Sequence, residues 1–301
     1  MPADNSNVHA DPSNPAFIQP EGIADALLQG KTKQIYAQLT PDFQQTLTEQ
    51  MLADTVKQSL QGIQSFQPLS KPHTINGNWH YDWISDTGKL GLMAIVNKKE
   101  QIAAMLLQPI ETFPATDNKT TSTTYQLPFQ GDWFVFWGGH TVLQNYHYAV
   151  PAQRYAYDFV QLKDGMSYSG DPKLNQSYHA FGQPALAPAD GTVINVVNNI
   201  ADNEPVGKMN PAQPSGNMVI IQHGDEYSML AHLEKGSVTV QKGDKVKRGQ
   251  EIGKIGNSGN SSEAHLHFQV SDQPDLLEGQ SMAIRWSDGL QPLKGDIVSN
   301  K

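Results

Sequence analysis

The 301-residue chain contains no cysteine. Disulfides and thiolate metal sites are therefore excluded, and any zinc must be held by His, Asp or Glu. No stretch approaches the roughly 18 consecutive apolar residues of a membrane span. Positive charge is scarce: 21 Lys and Arg against 30 Asp and Glu give a formal net charge of −9. That balance argues against a protein whose main task is gripping nucleic acid, while a cationic or mixed-charge polymer stays open as a substrate. The opening MPADNSNVHADPSNPAF has neither a basic nor an apolar segment, so residues 1–20 read as a disordered leader without a secretory signal pattern. What remains, with 38% hydrophobic and 17% charged residues, can fill ordinary globular cores, and the length suggests two domains.

From Glu21 to about Phe66 apolar residues recur at helical spacing, with Thr40-Pro41-Asp42 marking a helix start. After Lys71-Pro72 the period becomes two. Trp79, Tyr81 and Trp83, then Leu90, Leu92, Ala94 and Val96, read as half-buried strands, followed by a strand from Ile102 to Leu107. Helices followed by a curved antiparallel sheet make residues 21–113 an α+β accessory domain. In element order it resembles the small cone-shaped domains of the nuclear transport factor 2 type. Residues 114–124, rich in Ser, Thr and Asn, read as a linker. Beyond it, 125–301 is an all-β domain, an antiparallel sandwich or barrel of short strands punctuated by Gly, Pro, Asn and Asp. Its strand candidates are 134–137, 156–160, 192–197, 218–222, 227–231, 251–255 and 265–270.

The chemistry gathers in this second part. In Ala264-His265-Leu266-His267-Phe268, strand alternation places His265 and His267 on one face and Leu266 and Phe268 on the other. Two imidazoles about 7 Å apart can line one pocket; the bland alternative is a solvated surface strand. Another apolar strand, Tyr227 to Leu233, ends in His232. Upstream lie Asn145-Tyr146-His147 and the aromatic strand Tyr155 to Val160, which contains Asp158. A carboxylate inside such a strand is costly to bury unless a cation pairs with it. Two His and one Asp leave a fourth position for water, the open arrangement of catalytic zinc.

Together with the ordered matches Phe181 to Val193, Gly216 to Gly224, Ala231-His-Leu233, Val246 to Gly253 and Gly256 to Ser262, these residues resemble the lysostaphin-type (LytM-like) zinc metallopeptidases, which cut peptide bonds in bacterial cell walls. The resemblance covers about Asn145 to Val270. It implies one zinc ion per chain on His147, Asp158 and His267. It also implies that His232 and His265 act on the water and on the developing oxyanion without binding the metal. The family usually spaces its first His and its Asp four apart; here they are 11 apart, so His140 is a rival first ligand and His179 a poorer one. His223 reads as a turn residue, and His9, His73 and His80 lie outside the domain. The expected partner is a peptidoglycan peptide, in an extracellular or cell-wall location that implies a signal segment this sequence lacks. A catalytically inactive binding or activating protein on the same fold is the alternative. A lipoyl-type carrier module is disfavoured, because no lysine is displayed at a turn between the two hairpin-rich halves.

Overall fold

Two threonines show how the front helices begin. The hydroxyls of Thr40 and Thr48 accept the backbone N–H of Phe43 at 3.3 Å and of Met51 at 3.2 Å, satisfying donors that a helix leaves unpaired at its start. In the computed structural model, which describes residues 17–275 and 278–300, the first unit runs to Ile110. Its helices are α1 (Ile23–Leu28), α2 (Thr32–Ala37), α3 (Pro41–Thr46) and α4 (Glu49–Ser59). They bury Ile23, Leu27, Ile35, Leu52 and Val56 against the apolar face of an antiparallel sheet. That sheet comprises β1 (Phe66–Pro68), β2 (His73–Ile75), β3 (Asn78–Ser85), β4 (Leu90–Val96) and β5 (Ile102–Pro109), in the order β1-β3-β4-β5 with β2 on β3. The period-two pattern explains the pairing: Trp83 opposes Leu92, which opposes Leu107, all toward the same core. Most of the expected leader, residues 1–16, lies outside the described residues.

The second unit starts at Glu111, and the stretch read as a linker belongs to it. Residues 114–124 form α5 (Pro114–Asp117) and most of β6 (Thr120–Tyr125). The polar composition was misleading because its backbone donors have a buried acceptor. The Glu226 carboxylate takes the N–H of Ser122, the N–H of Thr123 at 3.1 Å and the Tyr125 hydroxyl at 3.1 Å. Threonine also fits a pleated strand well. β6 pairs in parallel with β16 (Ala283–Trp286), the one parallel pair among the described strands.

The remaining strands are β7 (Asp132–Trp137), β8 (Tyr157–Val160), β9 (Pro184–Leu186), β10 (Gly191–Val197), β11 (Asn217–His223), β12 (Glu226–Leu233), β13 (Lys245–Val246), β14 (Glu251–Lys254), β15 (Leu266–Ser271) and β17 (Ile297–Ser299). Eight of them form one antiparallel sheet in the order β13-β10-β11-β12-β15-β8-β7-β17, and β9 pairs with β14. The sheet does not close: β13 and β17 are its two edges, so of the expected sandwich or barrel the closed barrel is ruled out. Its inner face carries Val219, Ile221, Leu230, Phe159, Leu266 and Phe268, all fully buried. The opposite face of β12, β15 and β8 is left for polar chemistry. No helix among the described residues is long and apolar enough to cross a membrane.

Candidate metal centre

Neighbouring strands bring the first pair together. β15 lies beside β8 with His267 directly opposite Asp158 and Leu266 opposite Phe159. Alternation therefore sends Leu266 and Phe159 into the core and puts His267 and Asp158 on the other face. His267 Nδ1 lies 2.9 Å from Asp158 Oδ1. β12 flanks β15 on its other side, with Ala231 opposite His267. Strict alternation would turn His232 toward the core. A β-bulge, where the pairing of β11 with β12 shifts between Asn217 and Val219, and a φ of 61° at His232 reverse it. The His232 ring thus comes within 4.7 Å of the His265 ring and 5.8 Å of the His267 ring, centroid to centroid. A non-glycine residue at positive φ inside a strand is a strained conformation of the kind that gathers at functional sites.

His147 arrives from outside the sheet, on a single helical turn over Tyr146–Ala149. Asn145 bridges the long interval to Asp158. It is fully buried, and its Oδ1 accepts the His147 N–H at 3.2 Å and lies 2.8 Å from His147 Nδ1. Its Nδ2 donates to the carbonyls of Ala156 at 2.9 Å and Arg154 at 3.2 Å, at the entrance to β8. One side chain therefore ties the His147 turn to the strand that carries Asp158. The Arg154 guanidinium closes the intervening loop: its Nε donates to the Tyr148 carbonyl at 3.0 Å, and its Cζ lies 3.5 Å from the centroid of the Phe113 ring.

One atom from each of His147, Asp158 and His267 lies within 4.8 Å of the others, and all three residues are buried. His147 Nε2 is 3.7 Å from Asp158 Oδ2. The far nitrogen of each imidazole faces an amide oxygen: His147 Nδ1 that of Asn145, and His267 Nε2 that of Gln269 at 2.9 Å. Those acceptors take the protons of the outer nitrogens and leave His147 Nε2 and His267 Nδ1 facing Asp158, His267 Nδ1 donating its own proton to the carboxylate. Burial pushes the His147 imidazole down to about 4, so it is neutral at physiological pH. Burial alone would raise Asp158, but His147, His265 and His267 outweigh it and hold the carboxylate ionised. The Asp158 carboxylate in turn overcomes the effect of burial on His267 and raises it. An ionised oxygen and two imidazole nitrogens converging in a buried site fit a divalent cation such as zinc, whose binding would displace the His267 proton.

His265 approaches Asp158 Oδ1 to 3.7 Å through Nε2, while its Nδ1 is held by the Glu263 carbonyl at 2.8 Å. His232 Nδ1 is held by the Ser258 carbonyl at 2.9 Å, and burial keeps its pKa well below the ordinary histidine value. Both rings thus have one nitrogen fixed by backbone and the other left for chemistry. A groove of about 300 Å³ opens here, with Asp158 and His265 among its lining and Trp137, Tyr146, Met209 and Glu263 around them. His140 is not part of the group: its ring lies parallel to Tyr148, beside a separate cavity of about 410 Å³ lined by Tyr155, Tyr157 and Trp286. His179 is not brought into the group either. Asn145 and Gln269 were missed from sequence, although the i, i+2 spacing of His267 and Gln269 on one strand was a usable signal.

Residues 176–278 match the family model of peptidase family M23. That stretch contains His232, His265 and His267 but begins after His147 and Asp158. Over 90 residues the chain is 37% identical to the peptidoglycan DD-endopeptidase ShyA of Vibrio cholerae, which is 30% of this chain and 18% of that protein. Over 89 residues it is 33% identical to lipoprotein NlpD of Yersinia enterocolitica, 30% of this chain and 77% of that one. The murein hydrolase activator NlpD of Escherichia coli is also 33% identical over 89 residues, 30% of this chain and 20% of the relative. The chain spans less than a quarter of the length of the first curated relatives it matches.

Proposed function

The chain belongs to peptidase family M23, and on that premise we propose that it is a zinc-dependent endopeptidase that hydrolyses peptide bonds in peptidoglycan. The observation that carries the reading is the convergence of His147, Asp158 and His267 within 4.8 Å, beside two further histidines with fixed ring orientation. We assign the first three as ligands of one zinc ion. When bound, zinc supplies Lewis-acid polarisation of the scissile carbonyl and acidification of water. His265, its Nδ1–H directed to the Glu263 carbonyl, accepts a proton at Nε2. His232, held in the same way by Ser258, offers its own Nε2. Once protonated, either ring can donate to the developing oxyanion or to the departing amine. Burial of His232 keeps it neutral before the reaction and ready to accept a proton. The groove beside His265, walled by Trp137, Tyr146, Met209 and Glu263, would take an extended peptide. A cell-wall or extracellular location follows from that substrate. For the front unit, the order of helices and sheet supports a domain of the nuclear transport factor 2 type, serving targeting or autoinhibition.

The similarity to a murein hydrolase activator motivates a second reading, a protein that binds cell wall or activates a hydrolase without cutting. Retention of all three ligand types and both extra histidines favours the enzyme. Metal analysis of the purified protein, together with mass spectrometry of digested peptidoglycan, separates the two. The expected outcome is one zinc per chain and new peptide termini. His147→Ala, Asp158→Ala or His267→Ala should strip most of the zinc. His232→Ala should keep it and lose about 10²–10⁴-fold in rate. A wild-type protein that binds no zinc, or a His232→Ala variant that loses metal as readily as His267→Ala, overturns the assignment.

A further inference from the structure

Glu263 stands in the wall of the groove two residues before His265, and its backbone carbonyl orients the His265 ring. Its carboxylate has little to do within the protein. Oε1 is buried without a hydrogen-bond partner, and Oε2 has only the Ser167 hydroxyl, at a long 3.4 Å. Among the described residues no Lys or Arg pairs with it, and none lines this groove. Burial accordingly pushes its pKa above the ordinary glutamate value, with His265 and Ser167 opposing that shift. A buried carboxylate oxygen left without a donor is destabilising, and native proteins keep few of them. Compare the buried Glu226 of the same unit, which accepts from two backbone N–H groups and a tyrosine hydroxyl. Folding found donors for Glu226 and left Glu263 short of them, at the edge of the chemistry.

We propose that Glu263 reads a cationic amine on the substrate, the side-chain ammonium of a residue bound next to the scissile peptide bond. The inference rests on the peptidase reading of the same groove and adds to it a substrate class. An ammonium supplies both what the carboxylate lacks, namely strong donors and positive charge. The exposed aromatic ring of Tyr146, which lines the same groove, offers apolar and π surface for the stem and head of such a side chain; the Trp137 ring beside it already carries the Lys294 ammonium, 5.1 Å from its centroid. The chain's net charge of −9 favours approach of a cationic peptide over an acidic one. Because Glu263 and His265 are held together through a backbone hydrogen bond, capture of the amine also fixes which peptide bond faces His265. Glu263 is thus a specificity residue acting by register.

The test uses two short peptides that differ only in one lysine side chain, free in one and Nε-acetylated in the other. Binding to the intact zinc-loaded protein is measured by calorimetry at low and high salt, and kcat/KM is measured for both peptides. The intact protein should prefer the free amine by about tenfold or more, the scale of a charge-assisted hydrogen bond. The preference should shrink with salt and vanish in Glu263→Gln, a near-isosteric change whose zinc content and melting temperature serve as controls. Glu263→Asp should keep part of it. Equal binding of the two peptides by the intact protein, or an undiminished preference in Glu263→Gln, overturns the inference. Preference without hydrolysis would sink the peptidase reading and leave the inference standing. Hydrolysis of both peptides at equal rates would do the reverse.

Discussion

Asn145 holds an imidazole with one end of its amide and two carbonyls with the other, so removing it should disturb the ligand set more than the fold. Asn145→Leu keeps the approximate volume and loses the polar contacts. Its zinc affinity, measured by competition with a chelator, should fall about 10–100-fold, the usual cost of losing an outer partner of a metal ligand. An unchanged affinity would mean that the backbone alone aims His147. At this scale the histidines were legible and their supports were not. His265 and His267 announce themselves because strand alternation is a local rule. What Asn145 does depends on which ring nitrogen faces it after a loop has folded back, and no local pattern encodes that. His232 was legible as the end of a strand. The bulge that turns it onto the site face, with φ at 61°, was not, since it arises from a pairing mismatch with β11.

Among the elements, the strands of the second unit follow the sequence expectation closely, because Gly and Asp turns delimit runs rich in β-branched and aromatic residues. The short strands β9, β13, β16 and β17 were not among the candidates, and neither was the stretch 114–124, whose composition resembles a linker and whose strand depends on Glu226, about a hundred residues away. The hairpin of β11 and β12 offers a test through pH. His223 Nδ1 faces the Asp190 carbonyl at 2.8 Å and Nε2 the Ser228 hydroxyl at 2.8 Å, and burial lowers its pKa below the ordinary histidine value of 6.5. The unfolded chain therefore binds a proton more readily than the native one. The contribution of His223 to stability is complete above 6.5 and is lost as pH falls from there toward its folded value. His223→Gln should be less stable than the parent at pH 7.5. It should also show a shallower fall in melting temperature between pH 7 and pH 5, in the same scanning calorimetry series. If the two profiles run parallel, His223 does not titrate in that window.

For the whole molecule, the boundary between the units decides which fragment is viable. A fragment of residues 111–301 keeps α5 and β6; one of 126–301 removes them. The shorter fragment leaves Glu226 without its three donors and takes Asp117 away from the hydroxyls of Tyr148 and Tyr155. At about 1 kcal/mol per hydrogen bond, these five amount to roughly 5 kcal/mol, enough to unfold many domains. The 111–301 fragment should therefore fold and bind zinc, and the 126–301 fragment should be insoluble or melt well below it. Equal melting temperatures would return the boundary to 125. The parallel pairing of β6 with β16 has a further consequence, for the order of assembly. It joins Thr120 to Ala283, so the first strand of this unit cannot settle until β16 has been made. Contacts so distant in sequence make folding slow. His267, too, is made more than a hundred residues after Asp158. A nascent chain thus cannot assemble the proposed ligand set before residue 267 has been made, however early His147 and Asp158 emerge.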